Sequence, residues 1–412
     1  MTNTAIVIGG GIAGSSSAYA LAKRGIKVTL IERNAEVASA ASGNPLAMLY
    51  PRLSGDDLSS QFALDSYLYS LAFYQSLNLP DADFSMCGML QLGFNARELS
   101  RIKKVAAHNY PASVLQYVSH NEASTIAGIS IDHDSLYFPT AAWIQPKNLC
   151  KHLTQHPNIT IINTQQVIQF AQKAYGFEVY NHHQLLATAD VLIIATANDA
   201  QQLLPDLPLH TKAVRGQVSV LDSTSNSQKI NTIICSDGYL SPSAYAAQSH
   251  CLGASFSDAE AISTEAPDLT TTQADHISNL NKLNNISPAL YHDLQASLTG
   301  GRVSYRCTTS DYWPLVGELI DGANLTKNPV RPSALPQALP WLSGLYINAA
   351  HGSKGFTSAP LCAELLASMI CQQPLPISSD IACQLNPNRF LLKALGLKKL
   401  AKTIASQHKI SG

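Results

Sequence analysis

The chain has 412 residues, a net charge of −1, and a composition that is 46% hydrophobic but only 13% charged. This is length enough for two sizeable domains with a large buried core. The near-zero charge excludes a global basic field for nucleic acid and leaves only local patches for such contact, while no apolar run approaches the ~18 residues of a membrane span.

The eight cysteines form no C-x-x-C pair and do not cluster with histidine, which favours a reduced, cytoplasmic interior over disulfides or zinc. The thirteen histidines are scattered, and only His182 and His183 are adjacent, in an expected turn, so no metal site is predicted. The chain opens directly into a core-type strand, without the basic and apolar regions of a signal peptide.

In chain order, the first element is an apolar run, Ala5 to Ile8, as expected of a buried parallel strand. It ends in Gly9-Gly10-Gly11-Ile12-Ala13-Gly14, a match to G-x-G-x-x-G, and an Ala/Ser-rich helix follows that closes at Lys23, Arg24 and Gly25. A second strand, Lys27 to Ile31, stops at Glu32, which lies 18 residues past Gly14. In this arrangement Gly9 makes the tight turn, Gly11 admits a pyrophosphate and Gly14 lets helix and strand pack closely. The helix N-terminus presents amides to phosphate, and the carboxylate can accept from ribose hydroxyls. Strand, helix, second strand and terminal acid in register point to dinucleotide binding rather than a plain turn.

Residues 38–52, which include Ala41-Ser42-Gly43-Asn44, are too polar and turn-rich for a strand. They read equally as a loop wrapping a dinucleotide or as an ordinary connection. Segments 86–94, 214–221, 239–245 and 299–306 alternate in the manner of sheet strands, whereas 159–163 and 189–196 read as buried parallel strands. The expected architecture is α/β: a discontinuous Rossmann-type domain over 1–85, 140–213 and 320–412, with a mainly-β substrate domain of 86–139 and 214–319 inserted into it. Asp237-Gly238-Tyr239-Leu240 is a turn followed by a tyrosine, which alone is more often packing than ligand. Arg306 ends a strand-like stretch and reads either as a surface ion pair or as a bidentate carboxylate grip. The proline-bearing segment 319–343 is expected to be a surface loop.

His351-Gly352-Ser353-Lys354-Gly355-Phe356-Thr357 opens the last long helix. It is read either as a helix start capped by Thr357 or Ser358 or as a cluster of amides able to stabilise the electron-rich end of a reduced flavin. Residues 387–412 hold six Lys or Arg (Arg389, Lys393, Lys398, Lys399, Lys402 and Lys409) and no acid. They form either a phosphate-contact patch or a solvated amphipathic terminal helix.

The N-terminal fingerprint, the ASGN loop, the HGSKG turn and the R-x-x-T-x-D-x-x-P-x-x-G string from Arg306 to Gly317 together resemble the glycine oxidase and D-amino-acid oxidase class of flavoproteins. Four segments carry the closest likeness: ASGNPLAMLYPR, VRGQVSVL, GRVSYRCTTSDYWPLVG and NAAHGSKGFTSAPLCAELLA. They are similar to the FAD-dependent half of the bacterial bifunctional tRNA enzymes of 5-methylaminomethyl-2-thiouridine biosynthesis. The resemblance implies an FAD-dependent enzyme that removes the carboxymethyl group from 5-carboxymethylaminomethyl-uridine at the tRNA wobble position. The glycine methylene of a secondary amine is oxidised, and the imine hydrolyses to glyoxylate and the primary amine.

Arg306 is then implied to grip the substrate carboxylate, with Tyr239 on the substrate side and the 351–357 turn at the flavin pyrimidine. The implied cofactor set also takes in Arg33, Val167, Ala195 and Thr196, although Ala195-Thr196-Ala197 departs from the Ala-Thr-Gly common in flavoproteins. Ser304 stands where sarcosine oxidases carry a flavin-anchoring cysteine, so the FAD is expected to be non-covalent. The family's full-length form has an N-terminal methyltransferase domain, which makes tRNA and a methyltransferase, separate or fused, the expected partners. A free amino-acid oxidase and a non-catalytic flavin-binding subunit are the competing readings.

Overall fold

The computed structural model of the chain describes residues 2–243, 248–258 and 268–404. The chain divides into two compact units, one of 1–43, 147–213 and 306–412, the other of 44–146 and 214–305.

The first unit is built on a sheet in which Thr4–Ile8, Lys27–Ile31, Ile159–Ile162, Val191–Ile194 and Trp341–Ala349 all run parallel, with Leu315–Ile320 added antiparallel at one edge. The central strands are continuous apolar runs because both faces are covered; Ile6, Val7, Leu30, Leu192, Ile193 and Ile347 are fully buried. A small antiparallel sheet of Gln169–Lys173, Gly176–Tyr180 and Leu185–Ala189 belongs to the same unit. The fingerprint helix Ile12–Ala22 is made of small residues and packs against the long helix Gly355–Ile370. Arg24 ion-pairs with Glu364 at the far end of that contact.

The second unit is an extended, mostly antiparallel sheet that includes Met89–Leu92, Ser135–Phe138, Thr211–Asp222, Ile233–Cys235, Tyr239–Leu240 and Ser249–Gly253. Only the pairing of Met89–Leu92 with Ile233–Cys235 is parallel among those described. Two apolar clusters cover it, one including Met89, Phe138 and Trp143, the other Leu90, Leu221 and Leu283.

The division falls elsewhere than the sequence suggests. Residues 44–85 belong with the second unit, because Ala47–Leu49 forms a strand on Ala142–Ile144 and Leu46 and Leu53 pack beside Met89 and Phe138. The same pairing carries 140–146 with them. Residues 306–319 belong with the first unit, because Cys307, Leu315 and Leu319 enter its core. The stretch 319–343 is also more than a loop: it holds a short helix, Gly322–Lys327, and buries Leu325 and Leu339. Of the strand expected at 239–245, Tyr239–Leu240 forms one, and 244–245 lie outside the described residues.

Gly14 fixes the distance between the first strand's turn and the helix. A Cβ at this position would lie 1.8 Å from the Gly9 carbonyl oxygen, a backbone atom with no freedom to withdraw. Gly9 itself has φ +104°, a region that other residues enter only with strain. Gly14→Ala should therefore lower stability by about 3 kcal/mol or more and should sharply reduce the FAD retained on purification. A melting curve and the absorbance of released FAD would check both; wild-type values for both would show that the turn relaxes freely.

Candidate active site

The carboxyl ends of the parallel strands meet at one edge, held by short backbone bonds. Gly9 N donates to Ile31 O at 2.8 Å, Glu32 N to Ile162 O at 2.9 Å and Ala195 N to Ile8 O at 2.9 Å. In sheets of this kind ligands bind outside such an edge. Two helices begin there. Gly11 precedes the fingerprint helix and Lys354 precedes the helix Gly355–Ile370; neither helix has a side-chain cap or an acid in its first turn. Their starts adjoin, since a Cβ on Gly355 would lie 3.1 Å from Ile12 Cγ2. Two positive helix ends therefore face the same region without a protein anion in either first turn.

Glu32 is buried, and its carboxylate serves the turn as well as any ligand. Its Oε2 accepts from Gly10 N at 2.7 Å, and its Oε1 accepts from the Asn34 amide at 2.9 Å and Asn34 Nδ2 at 2.6 Å. Three protein donors leave roughly one of about four acceptor positions for a ribose hydroxyl. Ser42 Oγ accepts from Ile12 N at 2.9 Å, so its own proton remains available for a phosphate oxygen. The short helical turn Ala41–Gly43 places it there. Thr196 Oγ1 is buried with no hydrogen-bond partner, in the turn whose Ala195 carbonyl would meet a Cβ on Gly9 at 2.6 Å. An unmatched hydroxyl, a free serine proton and two helix starts without an acid in the first turn fit a bound dinucleotide carrying phosphates.

Other expected contacts are placed differently. The Arg33 guanidinium pairs with Asp199 at 2.7 Å on the surface, so its charge holds the 196–199 turn. Val167 lies past the strand Ile159–Ile162, with its side chain packed in the core of the first unit. Asn44 opens the second unit, where its Oδ1 accepts from Arg302 Nη1 at 3.0 Å. Tyr239 is half-buried in the second unit, its hydroxyl 3.7 Å from Cys251 Sγ.

The 351–357 turn is not a capped helix start. Its helix begins at Gly355, so Thr357 and Ser358 lie inside the first turn, and Ser358 Oγ is 3.1 Å from Lys354 O. Ser353 is exposed, Gly352 and Phe356 are half-buried and Thr357 is buried. His351 does not offer its ring to a ligand. Its Nε2 is 2.9 Å from Asn348 Oδ1 and its Nδ1 is 2.9 Å from Ser358 Oγ, while Asn348 Nδ2 donates to Ser17 Oγ at 3.0 Å. The carbonyl acceptor on Asn348 assigns the ring proton to Nε2. This chain of polar groups ties the last parallel strand, the turn and both helices together. Neither Ser17, Asn348 nor Ser358 carries a sequence signal for this role.

Arg306 lies near the end of the strand Leu298–Thr309. Cys307 and Thr309 are buried, whereas Arg306 and Thr308, on the opposite face by the alternation of a strand, are half-buried. Thr308 forms a β-bridge with His351, so Arg306 stands two residues from the backbone of that turn. The sequence-level picture of a cationic patch needs one correction. Arg389 is 1% exposed and ion-pairs with Asp311 at 2.8 Å, so it cannot contact an external phosphate. Lys393, Lys398, Lys399 and Lys402 are exposed, and Lys409 lies outside the described residues.

With this geometry in place, the comparisons define the class. The FAD-dependent oxidoreductase (DAO) family model matches residues 4–369. The chain belongs to this family, and its cofactor is FAD. Among relatives, it is 41% identical over 406 residues to the tRNA 5-methylaminomethyl-2-thiouridine biosynthesis bifunctional protein MnmC of Methylobacillus flagellatus, covering 97% of this chain and 61% of the relative. It is 38% identical over 402 residues to the protein of the same name from Pseudomonas aeruginosa PAO1, covering 95% and 60%. The chain thus spans about three fifths of the length of these relatives. Its fold is that of glycine oxidase from Geobacillus kaustophilus (TM-score 0.76, 17% identity, 94% of this chain and 99% of that one). It is likewise that of L-proline dehydrogenase from P. horikoshii (TM-score 0.73, 20% identity, 94% and 98%). Among the described residues no helix is long and apolar enough to cross a membrane.

Burial pushes the His351 pKa down to about 4 from the ordinary 6.5. The unfolded chain therefore takes up a proton that the folded one refuses. The resulting stability is fully present above about pH 6.5 and is lost progressively down to about pH 4, up to ~3 kcal/mol in all. Denaturant unfolding of wild type and His351→Gln at pH 7.5, 6, 5 and 4.5 should show a gap that narrows with acidity. A constant gap would mean that His351 titrates normally.

Proposed function

We propose that the chain is an FAD-dependent oxidase of the carboxymethylamino group on the wobble uridine of tRNA, yielding the aminomethyl nucleoside and glyoxylate. The observation that supports this reading is the β-bridge of Thr308, two residues past Arg306, with His351, in a chain 41% identical to an MnmC protein over 97% of this chain and 61% of that protein. When bound, non-covalently in this reading, FAD supplies a two-electron acceptor.

The chain's own groups do the rest. Arg306 binds the glycine-like carboxylate through its planar fork and thereby fixes the neighbouring methylene in position. The amide cluster at Gly355, Phe356 and Thr357, with the Lys354 cation beside it, stabilises the negative charge that accompanies reduction. The amine reacts in its neutral form, so no side-chain base is required. Tyr239 serves the substrate side. Cytoplasmic tRNA is the partner, and a methyltransferase, separate or fused, is the companion activity.

Arg306→Ala should retain FAD but lose turnover. Removing one partner of a desolvated charge pair costs about 2–5 kcal/mol, so kcat/KM should fall by roughly 30-fold to several thousand-fold. Arg306→Lys should recover little, since an ammonium lacks the fork. The assay is nucleoside mass spectrometry of tRNA carrying the carboxymethylaminomethyl group; normal kinetics in both variants would assign Arg306 to a structural ion pair.

The exposed lysines near the C-terminal end supply a second test. Deleting 387–412 would also remove Arg389 and confound the result, so the charges alone should be neutralised. Lys398→Gln, Lys399→Gln and Lys402→Gln together should flatten the log–log salt dependence of tRNA binding by about two units if all three touch phosphate. An unchanged slope would place the RNA elsewhere. Efficient turnover of glycine or sarcosine by a protein that binds no tRNA would instead mark a free amino-acid oxidase.

A further inference from the structure

We propose that Arg389 is the positioning residue for Arg306: a buried clamp, contributed from beyond the family-matched part of the chain, that sets the geometry of the substrate-carboxylate grip. The inference rests on Arg306 having that role.

All five guanidinium donors of Arg389 are engaged. Nε and Nη2 form a fork with Asp311 at 2.9 and 2.8 Å, Nη2 also reaches Trp313 O at 2.8 Å, and Nη1 reaches Pro314 O at 3.2 Å and Asn386 O at 3.1 Å. Four of these five bonds are made to one short turn, 311–314. That turn is closed internally by Thr309 Oγ1, which is 2.9 Å from Asp311 Oδ1 and 2.8 Å from Trp313 O. The Arg389 guanidinium lies 4.5 Å from the Phe390 ring centroid, and the His210 ring packs tilted against Phe390 with centroids 4.7 Å apart. The His210 carbonyl in turn accepts from Ser310 N at 3.2 Å. Residues 309–314 are thus gripped from inside, from the helix Arg389–Ala394 and from His210.

Arg306 lies three residues before Thr309 and five before Asp311, where this turn begins. On one side the strand end is fixed by the Thr308–His351 bridge, and on the other the clamp is its anchor. An ion pair with a buried partner contributes little net stability, because desolvation offsets the attraction; here its role is to fix the arrangement of the turn. Positioning of a substrate-binding group is sensitive to shifts of ~1 Å. Arg389 lies outside residues 4–369, the extent of the family match, so the clamp is supplied by the C-terminal segment of this chain. The carboxyl of Asp311 is held below its ordinary range against a burial effect that would raise it, chiefly by Arg389.

The test uses the FAD-loaded full chain and acetate as a non-reacting carboxylate, with binding followed by the flavin absorbance change. Arg389→Lys keeps the charge but lacks the fork. It should weaken acetate about tenfold and raise the substrate KM in parallel, with a smaller change in kcat and an unchanged FAD content. Thr309→Val removes the hydroxyl that contacts Asp311 Oδ1 and Trp313 O, so it loosens the same turn from within while leaving Arg389 in place, and should weaken acetate about threefold. Unchanged acetate affinity and KM in Arg389→Lys would overturn the proposal whatever happens to its melting temperature. If that variant does not fold, unchanged affinity in Thr309→Val would overturn it. Arg306→Ala is the control that separates the two claims. If it binds acetate normally, the grip itself is misassigned; if it loses acetate while Arg389→Lys keeps it, only the clamp fails.

Discussion

A single backbone contact governs the first unit. The fingerprint helix passes so close to the preceding turn that no side-chain atom fits at Gly14, with the Gly9 carbonyl 1.8 Å from where a Cβ would lie. This approach brings the helix start to the carboxyl edge of the parallel sheet and aims its free amides outward. It also sets where the second helix can lie. The Ser- and Ala-rich face of the first helix lets Gly355–Ile370 pack closely, so that both helices begin at the same place. Two helix ends with no acid in their first turns form an electropositive region without a cationic cluster, which suits a cofactor that carries phosphates and becomes anionic on reduction.

Around that region, charge and hydrogen-bonding capacity are spent mostly on rigidity. Glu32 commits most of its acceptor capacity to Gly10 and Asn34. His351 is kept neutral by burial and joins Asn348, Ser358 and Ser17 in one chain. Arg389 engages all five of its donors in the turn that follows Arg306 and in Asn386. Each of these groups would be costly to leave unmatched in a buried setting, and each is matched by a partner that also fixes a turn. Among the described residues near the helix starts, the Ser42 proton and the Thr196 hydroxyl remain for a ligand.

In the second unit, by contrast, a mainly antiparallel sheet presents long alternating strands over two apolar clusters. Thr211–Asp222 and Leu298–Thr309 run through the division between the units at Val214 and Arg306. The second of these strands enters the first unit at Arg306 and, at Thr308, bridges to the His351 turn of that unit.

The sequence alone determined the dinucleotide fold, the buried parallel strands, the glycine turn, the last helix and the presence of an arginine near a strand end. All of these are local: they follow from apolar runs, glycine spacing and helix start signals within some thirty residues, as in the βαβ fingerprint. Tertiary structure decided what those signals could not reach. Residues 44–85 join the second unit because Ala47–Leu49 finds its sheet partner at Ala142–Ile144, far along the chain. His351 faces the protein interior because Ser17, more than three hundred residues earlier, meets Asn348. Arg389, which in the sequence belongs to a run of cations, is a buried structural group because Asp311 lies 78 residues before it. Nothing in a charge pattern distinguishes a solvated arginine from a clamped one. That difference is made by burial and by whether a carboxylate and three carbonyls converge on its fork, and only the folded chain brings them together.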